Sequence, residues 1–171
     1  MKKLLLIITL SLLLSGCGIF NLNGFIVPDD LEFLAVIENL RTPQEISDYM
    51  MRNFTYELHS LYAPDPYTLW LTKKGDCNDF SSFSTWVADY HGYETWQIQI
   101  FYLIDPLWRH WIAIYKEDNL YNFTDNQYYF PINVTSFREI VNYNSDYLTG
   151  KTWVKYIVYD YEMNIIEIRE L

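Results

Sequence analysis

The apolar pattern of this chain changes period once, near His91-Gly92, and that change sets the class of fold open to it. Before the change the spacing is helical. Asp29 and Asp30 are placed to cap a helix through Leu40, with Leu31, Leu34, Ile37 and Leu40 on its inner face. Thr42-Pro43-Gln44-Glu45 has the form of a capping box with proline at the first helical position. It opens a second helix carrying an Ile46, Tyr49, Met50, Phe54 stripe. Residues 55 to 70, which include Pro64 and Pro66, read as an irregular approach to a third helix. That helix starts at Asp76, turns Phe80, Phe83, Ser84 and Val87 inward, and stops after His91 at Gly92. Beyond it Trp96, Ile98, Ile100 and Tyr102 alternate as in a strand, and 108 to 115 read as a second. A turn at 117 to 119 leads into a third over 120 to 123. A short helix over 136 to 143, introduced by Thr135, precedes strands at 152 to 161 and 165 to 168. Helices first and adjacent strands later predict an α+β domain with an antiparallel sheet.

The N-terminus has a separate logic. Lys2 and Lys3 precede an apolar run from Leu4 to Leu14, too short for a comfortable membrane span and followed by small residues, as in an export signal. Leu14-Ser15-Gly16-Cys17 resembles the bacterial lipobox. The resemblance implies cleavage before Cys17 and lipidation of its thiol. The expected organisation is a signal peptide over 1–16, a lipidated tether over 17–28 and one domain over 29–171. The product would be held by its lipid on the extracytoplasmic face of a bacterial membrane, the outer one included where the host has two.

Charge narrows the partners. The chain carries a formal −10, and without residues 1 to 16 it has 10 basic against 22 acidic residues, or −12. Such a product lacks the basic stripe that nucleic-acid binding requires. With Cys17 lipidated, Cys77 has no second cysteine with which to form a disulfide.

Cys77 lies in Lys74-Gly75-Asp76-Cys77-Asn78-Asp79-Phe80, at a helix start. A helix N-terminus favours a thiolate and offers unpaired N–H groups, that of Cys77 included, to a developing oxyanion. A base is also needed, and the histidines are His59, His91 and His110. His91 sits at the far end of the same helix, ~20 Å away at ~1.5 Å per residue, and is effectively excluded. His59 lies in the irregular segment. His110 lies in a strand on the face of Trp108, Ile112 and Ile114, a pattern that taken alone also suits a buried core histidine. The turn at 117 to 119 brings Asp125 roughly opposite His110, where a carboxylate can fix the imidazole tautomer. Alone, Asp125 also reads as a turn residue.

These segments, from about Thr42 to Tyr129, resemble the transglutaminase-like superfamily of papain-related cysteine enzymes. Gly75-Asp76-Cys77-Asn78-Asp79 is similar to the family's nucleophile-helix start, and His91-Gly92-Tyr93 to the glycine before its first strand. His110-Trp111 resembles its histidine strand without the usual intervening residue. Asn122-Phe123-Thr124-Asp125 resembles the strand ending in its aspartate, without the proline that usually follows. The resemblance implies helices, including a nucleophile helix, packed on an antiparallel sheet. It further implies Cys77 as nucleophile, His110 as general base and acid, and Asp125 as the orienting acid. A side chain upstream of the cysteine can complete the family's oxyanion hole, and Tyr56 and Trp70 are the candidates.

The expectation is therefore a tethered cysteine peptidase or amidase acting on a peptide or protein through a thioester. The alternatives are an amine-transferring transglutaminase and a non-catalytic binding or assembly module on the same fold. Asp79 reads as a helix cap, and Lys73 and Lys74 as either thiolate-stabilising or merely solvated. The histidines lack metal-ligand spacing and the sequence calls for no cofactor.

Overall fold

The computed structural model describes residues 27–58 and 65–171, the side chains of 105–108 excepted. The export segment, most of the tether, Cys17 and His59 lie outside the described residues. Among those described, no helix is long and apolar enough to cross a membrane.

The helical half begins with α1 (Leu31–Asn39), whose N-cap Asp30 accepts from the Glu32 and Phe33 amides. Its buried stripe is Phe33, Ile37 and Leu40, whereas Leu31 is 82% exposed. The expected inner face was rotated because Leu31, in the first turn, points to solvent and Phe33 takes the core position. Helix α2 (Pro43–Asn53) opens with both halves of the Thr42/Glu45 capping box and buries Ile46 and Met50. The stretch expected to be irregular contains α3 (Pro66–Thr72), capped by Asp65 with Pro66 in its first turn. An aspartate followed by proline is itself a helix-start signal, since Asp65 satisfies the Tyr67 and Thr68 amides and proline has no N–H to waste. Helix α4 (Cys77–Tyr90) ends at His91, and Gly92 takes a left-handed φ of 85°. Two-residue strands β1 (Thr55–Tyr56) and β2 (Lys74–Gly75) pair in parallel just before α4.

The second half is one antiparallel sheet in the order β6-β5-β4-β3-β7-β8. It comprises β3 (Glu94–Tyr102), β4 (Asp105–Glu117), β5 (Leu120–Asp125), β6 (Tyr128–Val134), β7 (Trp153–Asp160) and β8 (Ile165–Glu170). β6 has no counterpart in the expected pattern. It lies at the sheet edge, where Pro131 can forgo a ladder hydrogen bond. Helix α5 (Phe137–Tyr143) follows, capped by Ser136, and runs directly into a π-helical turn, Asn144–Thr149.

Alternation divides the sheet between two apolar layers. Ala113 and Tyr115 join Phe33, Ile46, Phe80, Phe83 and Val87 beneath the helices. Ile98, Ile100, Ile112, Ile114 and Phe123 pack with Ile140 and Val141 of α5 on the other face. Each fully buried Ile or Phe contributes about 1.5–3 kcal/mol relative to exposure, so both faces of β3 and β4 hold their register strongly. The result is an α+β architecture with helices packed on a six-stranded antiparallel sheet.

Candidate active site

Cys77 owes its position to a tightly built helix entrance. Asp76 accepts from the Asn78 amide at 2.9 Å, and Asp79 Oδ2 accepts from the Asp76 amide at 2.6 Å. This reciprocal cap makes Asp79, which is buried, a structural residue. Gly75 lets the chain pass Asp79 closely. A Cβ there would meet Asp79 Oδ2 and Leu69 Cδ1 at 2.7 Å. β1 lies against this entrance, with the Glu57 amide donating to the Gly75 carbonyl at 2.9 Å.

The helix entrance opens into a cleft of about 820 Å³ at the end of the sheet, where side chains from both sheet faces converge. Gln99 and Trp111 reach it from the helix-facing side, and Tyr102, His110 and Asp125 from the other. Cys77, His110 and Asp125 thus line one cleft.

His110 Nε2 lies 2.8 Å from Asp125 Oδ1, leaving Nδ1 as the ring nitrogen for other partners. The Cys77 thiol also acts on this ring. Burial of the ring opposes its charge, but the hydrogen bonds and charges of Asp125 and Cys77 outweigh that and push its pKa up to about 10. That direction favours the imidazolium at neutral pH. The cleft also raises the pKa of Tyr56, first by burial and then by the nearby charges of Cys77, Asp76 and Asp125.

Asp125 is held on both oxygens. Oδ1 also accepts from Asn126 Nδ2 at 2.9 Å, and Oδ2 accepts from Asn144 Nδ2 at 2.6 Å. The turn after Asp125 is pinned by Gln127, whose Nε2 donates to the Phe54 carbonyl at 2.7 Å and to the Met50 carbonyl at 3.0 Å. Nothing in the sequence pattern pointed to Asn144 or Gln127, since their partners lie 19 and more than 70 residues away.

Of the two expected oxyanion side chains, Tyr56 lines the cleft and Trp70 does not. The Trp70 ring packs in the helical layer against Phe33 and Tyr67, because it projects from α3 toward α1. Lys73 and Lys74 are also elsewhere. Lys73 sits over the Trp70 ring at 4.0 Å, and Lys74 pairs with exposed Glu57 at 2.8 Å. His91 bonds the Ile37 carbonyl at 2.9 Å, at the other end of α4 from Cys77. Among the described residues, no cluster of three or more His, Cys, Asp and Glu side chains is arranged to hold a metal.

No protein-family model and no curated protein sequence matches the chain. Solved structures do. One of Legionella pneumophila LapG is similar over 71% of this chain and 70% of its own, at 12% identity and a TM-score of 0.50. The EGTA-treated form of the same protein is similar over 80% and 77%, at 11% identity and a TM-score of 0.51. At such identities the likeness concerns the fold.

Proposed function

Because this chain carries the transglutaminase-like, papain-related fold, we propose that it is a cysteine peptidase or amidase using Cys77, His110 and Asp125. One observation carries the reading. A thiol at the N-terminus of α4 shares a cleft with an imidazole whose far nitrogen is bound, at 2.8 Å, to a buried carboxylate. That is the arrangement a thiolate–imidazolium pair requires, with the carboxylate fixing the ring.

In this reading the Cys77 thiolate adds to an amide carbonyl, and the oxyanion faces the Cys77 amide at the positive end of α4. His110 gives its Nδ1 proton to the departing amine as the C–N bond breaks, leaving a thioester. Water then attacks the thioester, His110 takes a proton from it, and the acid leaves with the thiolate restored. Asp125 keeps the ring aligned throughout and favours its charged form whenever it holds the second proton. Tyr56, half exposed beside Cys77, is positioned to meet the acyl oxygen or the substrate backbone.

The cleft suits an extended peptide better than a small ligand, being open and lined by Tyr56, Trp111, Tyr128 and Phe130. We also propose, from the sequence around Cys17, that a lipid tethers the domain to the extracytoplasmic face of a bacterial membrane. Its acidic charge does not favour nucleic acid.

The test is mass spectrometry of a peptide library incubated with the purified chain, with and without a primary amine. Hydrolysed products that require Cys77 and persist without amine support a peptidase. Products found only as amine adducts identify a transferase. No product of either kind, with Cys77 intact, refutes both.

A further inference from the structure

Asp125 does not act on His110 alone. Its second oxygen is gripped by Asn144, a residue of zero exposure at the first position of the π-helical turn. The amide is used at both ends. Nδ2 donates to Asp125 Oδ2 at 2.6 Å, and Oδ1 accepts from the Tyr102 hydroxyl at 2.7 Å. Tyr102 is itself buried, and its ring lines the cleft. The carboxylate, which only accepts, fixes which way the Asn144 amide faces, and Oδ1 is thereby turned to accept from the Tyr102 hydroxyl.

The backbone is built to deliver this contact. α5 continues into the wider π-helical turn at Asn144, and Gly150 closes it in the left-handed region at φ 63°. Such turns add a residue to the helix and re-aim a side chain, at a cost in hydrogen-bond geometry. Here the re-aimed side chain meets the buried carboxylate.

We propose that Asn144, held at its far end by Tyr102, is a positioning residue that locks the Asp125 carboxylate in the plane of the His110 ring. The proposal rests on reading Cys77, His110 and Asp125 as one site. A carboxylate held only through Oδ1 is free to rotate about its Cβ–Cγ bond. A donor on Oδ2 removes that freedom and keeps Oδ1 aligned with Nε2. The ring then keeps its proton on Nε2 and presents Nδ1 to Cys77. The other titratable groups lining the cleft around the pair are Asp76 at the cap of α4, Tyr56 on β1, Tyr102 on β3, Arg109 on β4, Tyr128 on β6 and Lys151 after the π-helical turn.

The experiment compares wild type, Asn144→Ala, Asn144→Asp and Tyr102→Phe in the full chain. It uses two readouts: nitrogen and proton NMR of the His110 ring, and the pH profile of Cys77 alkylation by iodoacetamide. Wild type should show a single ring state with Nε2 protonated. N144A should show mixed tautomers above the ring's midpoint and roughly tenfold slower alkylation, as expected for a misaligned pair. Y102F, which deletes one hydroxyl, should shift both in the same direction by less. N144D should behave like wild type at acid pH, where the introduced carboxyl can donate as the amide does. It should lose that behaviour as its proton leaves. Unchanged ring signals and alkylation in folded N144A and Y102F overturn the proposal. If N144A does not fold, Y102F and the pH-dependent loss in N144D decide it on the same readouts. The NMR arm reads the ring alone, so an inert Cys77 would refute the enzyme reading without removing the evidence on Asn144.

Discussion

His110 Nε2 binds Asp125 Oδ1 at 2.8 Å although the two residues are not paired across the sheet. The ladder sets Asp125 opposite Ile112, and His110 reaches it along the diagonal. Both point to one sheet face, so a step of two residues preserves the contact whereas a step of one would abolish it. The diagonal also lets His110 project beyond the paired end of β5, toward α4.

The charge on His110 should therefore depend on Asp125. In Asp125→Asn, burial is opposed by Cys77 alone, and the ring midpoint should fall by about 1–3 units from its value near 10. NMR titration of the ring checks this in a protein that stays folded. A midpoint that does not move would mean that Asp125 is not what charges the ring.

Stability should carry the same signature. The folded-state pKa of His110 lies above its ordinary 6.5, so folding takes up a proton there. The stabilisation is complete below about pH 6.5 and is lost as pH rises through about 10. Urea unfolding of wild type and His110→Ala should thus differ most at pH 6 and converge toward pH 10. A constant difference across that range contradicts the coupling.

Gly75→Ala tests the entrance to α4. The added methyl would meet Asp79 Oδ2 and Leu69 Cδ1 at 2.7 Å and Asp79 Cβ at 2.8 Å. Forcing these apart should destabilise the protein by about 1–3 kcal/mol. Because Asp79 caps the helix that begins with Cys77, alkylation of the thiol should change as well. Thermal unfolding with parallel labelling measures both.

Gln127→Ala separates support from chemistry. It removes the donor to the Phe54 and Met50 carbonyls, the latter still receiving the Phe54 amide at 2.8 Å. A loss of about 1–3 kcal/mol is expected, with slower labelling of Cys77 as the turn after Asp125 loosens. Labelling at the wild-type rate in a destabilised variant would show that this turn does not govern the site.

Local chemistry made much of this legible in the sequence. Thr42-Pro43-Gln44-Glu45 and Asp76 to Asp79 are short-range caps, and Trp96 to Tyr102 alternates strongly because one strand face packs on α5. The positions of Cys77, His110 and Asp125 followed from such signals and the turn between two strands. The orientation of Trp70 around α3 depends on packing against Phe33, which no local rule supplies. β6 was hidden by Pro131, acceptable only because the strand proved to be an edge. Asn144 was invisible for a stronger reason. Its partners Tyr102 and Asp125 lie 42 and 19 residues back, and a π-helical turn has no recognised sequence signature to announce it.

In the proposed chemistry Cys77 reacts as a thiolate paired with the His110 imidazolium. The decisive measurement is the rate of iodoacetamide alkylation of Cys77 at neutral pH, in wild type and in His110→Ala. Wild type should label at least about tenfold faster than His110→Ala at neutral pH, because only wild type has an imidazolium to stabilise the thiolate. Equal rates in the two proteins would show that His110 does not activate Cys77.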